Sequence, residues 1–203
     1  AAVAVLYGMI EPTQQDKFLL DIYLSKIALA LANVIHYNHY VAAIDAARTD
    51  ILTGLPNRRD YIENGKKLYN QHEASGHSMT LAVLDLDGFK PVNDLYGHDK
   101  GDLLLKAFAS FVQHALKSTD YFARLGGDEF VLMIQNADQK LAETILQRLI
   151  DNIDQHCFTL PNIEQPIKIG ISIGADASLD GGLDEMFKRA DSRLYQSKSQ
   201  PGS

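Results

Sequence analysis

Tryptophan is absent, cysteine occurs once, and basic residues are in the minority. A single thiol excludes an internal disulfide, and with it the small secreted scaffolds that depend on such staples. It fits a reducing compartment, so a cytoplasmic location is expected. Cys157 lies in an apolar stretch, and burial by packing is expected of it. Against 26 acidic residues stand 19 lysines and arginines, a net charge of −7. That balance offers no positive field to gather a nucleic acid polymer or an anionic lipid surface, although a small polyanion could bind through a few lysines and a metal ion. No basic region precedes the apolar Ala1–Leu6, so no signal peptide is expected. A membrane span needs about 20 consecutive apolar residues. The uncharged stretch Ile27–Ile44 is broken by Asn33, His36, Asn38 and His39 and flanked by Lys26 and Asp45, so no span is expected in this chain. Repeats and low-complexity tracts are also lacking.

What remains is an ordinary folding composition, 46% hydrophobic and 22% charged. The length allows one domain plus an appendage. Residues 1–11 form a short, strand-like apolar run, read as the end of an upstream sensory domain; the strand passing straight into a helix resembles the exit from a domain of the GAF or PAS kind. Residues 12–49 are predicted to form one long helix, with Pro12 in its first turn. Leu20, Tyr23, Ile27, Ala30, Val34, Tyr37, Val41 and Ile44 alternate three and four apart along it, the seam of a coiled coil. At 1.5 Å per residue that helix is roughly 55 Å long, too long to pack on one small domain. A parallel homodimer through this helix is favoured; burial against a neighbouring sensory domain is the alternative.

From Asp50 the pattern turns mixed, and residues 50–203 are read as one folded domain. The turn Thr53–Asn57 leads to a helix ending near Ala74, then to a buried strand over Met79–Asp85. A polar turn and a helix over Gly101–Lys117 come next. Strands at Tyr121–Arg124 and Phe130–Ile134 flank a tight hairpin. A helix over Ala137–His156, a β-branched strand over Pro166–Ala175 and a last helix over Leu183–Lys198 complete the domain, with Ser199–Ser203 as a tail. The predicted class is α/β (α+β), a central mixed sheet flanked by helices.

Two acidic clusters stand at strand ends: Asp85-Leu86-Asp87, and Asp128-Glu129 after Gly126-Gly127. Carboxylates gathered this way repel unless a proton or cation intervenes. Oxygen-only ligands point to Mg²⁺ or Mn²⁺ rather than zinc. Such ions can bridge a triphosphate, activate a hydroxyl and stabilise leaving pyrophosphate.

The strings themselves are more specific. The chain reads Asp50-Ile-Leu-Thr-Gly-Leu-Pro-Asn-Arg-Arg59, Asp85-Leu-Asp-Gly-Phe-Lys90, Asn93-Asp94, Gly97-His98, Gly101-Asp102, Arg124-Leu-Gly-Gly-Asp-Glu-Phe130, Ala190-Asp191, Leu194-Tyr195 and Lys198. In that order and spacing, over Asp50–Lys198, it resembles the GGDEF family of diguanylate cyclases, which join two GTP into cyclic di-GMP. The resemblance implies a GGDEF, nucleotidyl-cyclase-like fold, a metal held by Asp85, the backbone carbonyl of Leu86 and Asp128, and Glu129 serving a second metal or helping to deprotonate the 3′-hydroxyl. It implies Asn93 and Asp102 as the guanine-reading pair, with Leu55 lining the base pocket. A carboxylate suits that role, since it accepts from both N1–H and the exocyclic amine of guanine. Backbone amides around Gly88-Phe89, with Lys90 and Lys198, would hold the phosphates. Each domain would supply one GTP, so two must face each other, and the helix dimer raises their effective concentration.

Other residues carry plainer expectations. Asp50 and Arg58 are expected to form a structural ion pair, Asp87 and Asp94 to cap turns, and His98 to pack or hydrogen-bond. His36 and His39, three apart on the helix, are not expected to hold a metal. Two departures from the family pattern stand out. Lys117-Ser-Thr-Asp120 replaces the inhibitory Arg-x-x-Asp of many members, and lysine lacks the bidentate fork that grips phosphate or a guanine edge. After Lys198, the arginine usual in the family is missing. Two rivals therefore stay open: a catalytically weak module that binds GTP or cyclic di-GMP and regulates a partner, and a cyclase making a mixed guanine–adenine product.

Overall fold

The computed structural model describes residues 13–199; the strand-like run 1–11, Pro12 and the tail from residue 200 lie outside the described residues. The chain divides into two units, Ala1–Asp45 and Ala46–Ser203.

Helix α1, Gln14–Arg48, supplies the first unit. Thr13 starts it with a reciprocal cap: its hydroxyl donates to the Asp16 carboxylate at 2.6 Å and accepts from the Asp16 amide at 3.2 Å. The predicted seam residues Leu20, Tyr23, Ile27, Val34 and Tyr37 are all exposed. The side chains of Val41 and Ile44 lie outside the described residues. Phe18 and Leu29 are exposed on the opposite side of the helix, so apolar residues run round most of its girth. The segment Gln14–Asn38, mean hydropathy 1.8, is long and apolar enough to cross a membrane.

The second unit is a four-stranded sheet between two helical layers. Its elements are α2 (Arg58–Asp60), a π-helical turn (Tyr61–Gly65), α3 (Lys66–Ser75), β1 (Met79–Asp87), α4 (Phe89–Tyr96), α5 (His98–Ala115), β2 (Tyr121–Gly126), β3 (Glu129–Gln135), α6 (Gln139–Gln155), β4 (Gly170–Asp176) and α7 (Gly182–Ser199). The strand order is β2-β3-β1-β4. All pairings among these strands are antiparallel, and the parallel component of the sheet is the isolated bridge of Asn57 with Arg124.

Strand periodicity decides which helices cover which face. Ala82, Leu84 and Leu86 of β1, with Phe130, Leu132 and Ile134 of β3, join Leu104 and Phe108 of α5 and Leu146 and Leu149 of α6. Leu81 and Val83, with Val131 and Met133, join Tyr69 of α3 and Met186, Ala190 and Leu194 of α7. Both central strands are buried on both faces, hence their nearly unbroken apolar runs.

Three details differ from the sequence reading. The polar turn after β1 is helix α4, because Val92 buries against α5 and gives the segment an apolar side. The strand expected from Pro166 begins at Gly170, with Ile167 only bridging Phe158. Cys157 is exposed, since Ile153 and Phe158 on either side take the buried positions.

Candidate active site

The sequence places Asp85 at an odd position of β1, on the same side as Leu81 and Val83, and therefore facing α7. Glu129 is its directly opposed partner across the β1–β3 ladder. Residues so paired present their side chains to one face, so two carboxylates stand side by side. Each has a cation from a covering helix. Lys198 near the end of α7 pairs with Asp85, and Arg58 at the start of α2 lies 3.9 Å from Glu129.

Close packing seats α7. A Cβ on Gly174 of β4 would fall 2.1 Å from the Ala190 carbonyl oxygen and 2.2 Å from the Leu194 nitrogen, so only glycine lets the helix lie this near the sheet. Arg189 and Arg193, one turn apart, both grip the buried Asp176, at 2.9 and 2.7 Å. Lys198 lies one turn beyond Leu194 and is thereby directed at β1.

The β2–β3 hairpin carries Asp128. Gly126 and Gly127 both have positive φ, 146° and 53°, which closes the turn without a Cβ penalty. The Leu86 amide donates to the Asp128 carbonyl at 3.4 Å, joining the end of β1 to the hairpin. Between them opens a cleft of about 810 Å³, lined by Asp85, Leu86, Phe89, Lys90, Asp128 and Lys198 among others. Six of the residues expected in the site thus meet in one cavity. At its edge α4 begins directly after Gly88, with no side chain capping its first amides. Those free N–H groups, with the helix dipole and Lys90, make a phosphate-sized anion site.

Asn93 and Asp102, the residues expected to read guanine, sit beside it on α4 and α5. A Cβ on Gly101 would lie 1.8 Å from Asn93 Oδ1, so the bare glycine makes room for the amide. That oxygen is buried and has no hydrogen-bond partner among the described residues. A buried acceptor left unpaired costs about 1–3 kcal/mol, so it calls for a donor. Asp102, adjacent to Gly101, is exposed. Leu55 is almost fully buried, in the same cluster as Val92 and Leu105, and forms part of the floor beneath α4 and α5.

Glu129 and the pair Lys117 and Asp120 do not line the cleft. Glu129 is half exposed on the rim. Lys117 is exposed, and the Asp120 carboxylate accepts from the backbone amides of Lys117 at 3.1 Å and Gln135 at 3.3 Å, so it caps the turn before β2.

Two expectations are corrected. Asp50 pairs with Arg124, not Arg58: Arg124 Nη1 donates to Asp50 Oδ1 at 2.9 Å. Arg58 is turned towards the hairpin, with Nε donating to the Leu125 carbonyl at 3.3 Å. Asp87 does not cap a turn but ends β1, accepting from the Ser172 hydroxyl of β4 at 2.9 Å. Both arise from cross-strand and helix–sheet neighbours, which residue spacing does not reveal. Period-two counting from Leu81 to Asp85 carries the one available hint, that Asp85 faces whatever helix covers Val83.

Asp85, Asp87, Asp128 and Asp154 are among the residues lining the cleft, and carboxylate oxygens suit a hard divalent cation. Among the described residues no group of three or more His, Cys, Asp or Glu side chains is placed to hold a metal. Asp85 and Asp128 fit a divalent ion whose remaining positions would go to phosphate oxygens and water.

Comparison with known proteins bears on the family of the chain. Residues 47–203 match the family described as "Diguanylate cyclase, GGDEF domain". The diguanylate cyclase DgcS of Shewanella oneidensis is 35% identical over 154 residues, 75% of this chain and 50% of that protein. The response regulator PleD of Caulobacter vibrioides is 32% identical over 164 residues, 80% of this chain and 36% of that protein. The chain thus spans half or less of the length of these relatives. Among solved structures, the coiled coil and GGDEF domain of DgcB from Caulobacter crescentus, in complex with c-di-GMP, superposes with a TM-score of 0.78 at 26% identity, covering 87% of this chain and 94% of that one. On the family match over residues 47–203 and the likeness of its fold, the chain belongs to the GGDEF-domain family of diguanylate cyclases.

Proposed function

We propose that this chain is the catalytic portion of a diguanylate cyclase, condensing two GTP into cyclic di-GMP with release of two pyrophosphates, in bacterial second-messenger signalling. The observation that carries the reading is the cleft itself, where Asp85, Asp128, the uncapped start of α4, Lys90 and Lys198 converge. DgcS, 35% identical over 154 residues, is named a diguanylate cyclase.

Asp85, Asp128 and the Leu86 carbonyl are the groups that would hold Mg²⁺ or Mn²⁺, with Glu129 beside them on the rim. Such an ion supplies charge neutralisation on the triphosphate and lowers the pKa of a bound hydroxyl. The chain's own residues do the rest. The α4 amides and Lys90 hold phosphate oxygens at fixed positions, so little reorganisation accompanies the build-up of charge. Asn93 Oδ1 accepts from guanine, and Asp102 accepts from its N1–H and exocyclic amine. Adenine offers no matching pair of donors, so the buried acceptor would stay unpaired and reject it. Glu129, half exposed and opposite Asp85, would take the proton of an incoming 3′-hydroxyl.

Ring closure needs two such sites face to face, so we assign the exposed seam of α1 to a parallel homodimer. Asp16, Lys17, Asp21, Lys26, Asn33, His36 and Asn38 interrupt the apolar surface of α1 and favour this over a membrane span. A cytoplasmic setting, where GTP resides, and control by an upstream sensory domain complete the proposal. Cyclic di-GMP is not expected to inhibit tightly through Lys117 and Asp120, because that carboxylate is held by backbone amides.

The test is incubation of the purified chain with GTP and Mg²⁺, followed by chromatography of the nucleotides. Cyclic di-GMP from the wild type, none from Asp128→Ala, and none of a mixed product when ATP is added are the expected results. GTP binding by a folded dimer without any product would replace the enzyme with a regulatory binding module.

A further inference from the structure

The pairing of Lys198 with Asp85 bears on how the site is loaded. Asp85 is 16% exposed and Lys198 38%, so this pair is better shielded than that of Arg58 with Glu129, whose members are 63% and 53% exposed. Asp85 and Glu129 oppose each other across the ladder, an arrangement that repels when both are ionised. A cation on Asp85 removes that repulsion. The lysine is not there by chance of a loose tail: α7 is locked on β4 by the bare Gly174 and by two arginines on Asp176. Its root is fixed and only its flexible stem can move. Within the same cleft lie the start of α4 and Lys90, groups suited to an anion.

We infer that Lys198 is the resident counter-cation of the metal position, so that its ammonium and a divalent ion exclude one another on Asp85. The inference rests on reading Asp85 and Asp128 as metal ligands. A bare divalent ion must displace the lysine and leave it unpaired near a second positive charge. A metal–nucleotide complex brings a cation for Asp85 and an anion for Lys198 together, and both groups exchange partners without loss. Metal alone therefore binds weakly, and metal and nucleotide bind synergistically. Lys198 acts first as a plug and then as a phosphate ligand.

The experiment is titration of the nucleotide-free chain with Mn²⁺, reading free ion by electron paramagnetic resonance, for wild type, Lys198→Met, Lys198→Gln, Asp85→Asn, Asp128→Asn and the Asp85→Asn/Lys198→Met double variant. Circular dichroism verifies the fold of each. Removing the lysine is expected to tighten Mn²⁺ binding about fivefold, the worth of a partly exposed pair, and to weaken binding of a non-hydrolysable GTP analogue. In the Asp85→Asn background the same replacement is expected to change nothing, since the contested carboxylate is gone. Unchanged or weaker Mn²⁺ binding in both lysine variants, or an equal gain in the Asp85→Asn background, overturns the inference while the proposed activity stands. Wild-type Mn²⁺ binding in both Asp85→Asn and Asp128→Asn instead overturns the metal reading on which it rests.

Discussion

Arg124 Nη1 lies 2.9 Å from Asp50 Oδ1, and its Nη2 and Nε lie 2.7 and 3.0 Å from the Gly127 carbonyl oxygen. One guanidinium thereby joins the point where the linker helix enters the domain to the turn that carries Asp128. Asp50 is held in place in turn, accepting from the Thr53 amide and hydroxyl at 2.9 and 2.7 Å. The Arg124 side chain is only 10% exposed, so the fork works in a partly desolvated setting.

Replacing Arg124 by alanine leaves the Asp50 carboxylate and the Gly127 carbonyl short of their donors. A loss of about 1–3 kcal/mol in unfolding free energy is expected, read by urea denaturation. Cyclic di-GMP formation should fall further than the folded fraction does, because the hairpin loses its brace. Stability within about 0.5 kcal/mol of wild type, together with full turnover, would show that the brace is dispensable.

The pH dependence has two limbs. Burial opposes ionisation of Asp50, but hydrogen bonds from Thr53 and Arg124 outweigh it and hold the carboxyl below its ordinary range. A depressed folded value means that its contribution is complete above the unfolded pKa of about 4 and fades as pH falls through the folded one. At the other end, burial first and then the Asp60 carboxylate raise the pKa of Tyr121, whose hydroxyl donates to Asp60 at 2.8 Å. The folded state keeps that proton, so stability declines as pH rises above the unfolded value of about 10. Urea midpoints measured across pH should be level between the limbs. Asp50→Asn should flatten the acid limb and Tyr121→Phe the alkaline one; limbs unchanged in these variants would refute the assignment.

Gly101→Ala drives a methyl into Asn93 Oδ1, which must rotate away. The chain should still fold, since α5 tolerates alanine. Its KM for GTP should rise about tenfold, the value of one displaced buried hydrogen bond, with a smaller effect on kcat. Equal KM values for Gly101→Ala and wild type would remove Asn93 from base recognition.

Charged residues at Ile27 and Val34 place like charges on the exposed seam of α1. Ile27→Asp/Val34→Asp is expected to run as a monomer in light scattering and to lose turnover, with GTP binding by each domain retained. The wild-type chain should stay in the supernatant when mixed with lipid vesicles and spun. Sedimentation with the vesicles would reassign Gln14–Asn38 to the bilayer.

Much of this architecture is legible in the residues. The long helix follows from the heptad spacing of Leu20 to Tyr37, and β1 and β3 from their apolar runs, because local periodicity is a property of the chain alone. The Gly-Gly hairpin and its acids are equally plain, since only glycine accepts such a turn without strain. Helix α4 was hidden behind Gly88 and the polar Asn93-Asp94, where composition suggests a loop and burial of Val92 imposes a helix.

Partnership was not legible. That Asp50 meets Arg124 rather than Arg58, that Asp87 meets Ser172, and that Asp85 takes Lys198 each depend on which strands pair and which helix lies over them. The sequence by itself determined the element types other than α4, the acids at the strand ends and the family. The tertiary structure decided which charge answers which, because side chains more than 70 residues apart meet only when strand register and helix packing bring them within a few ångströms.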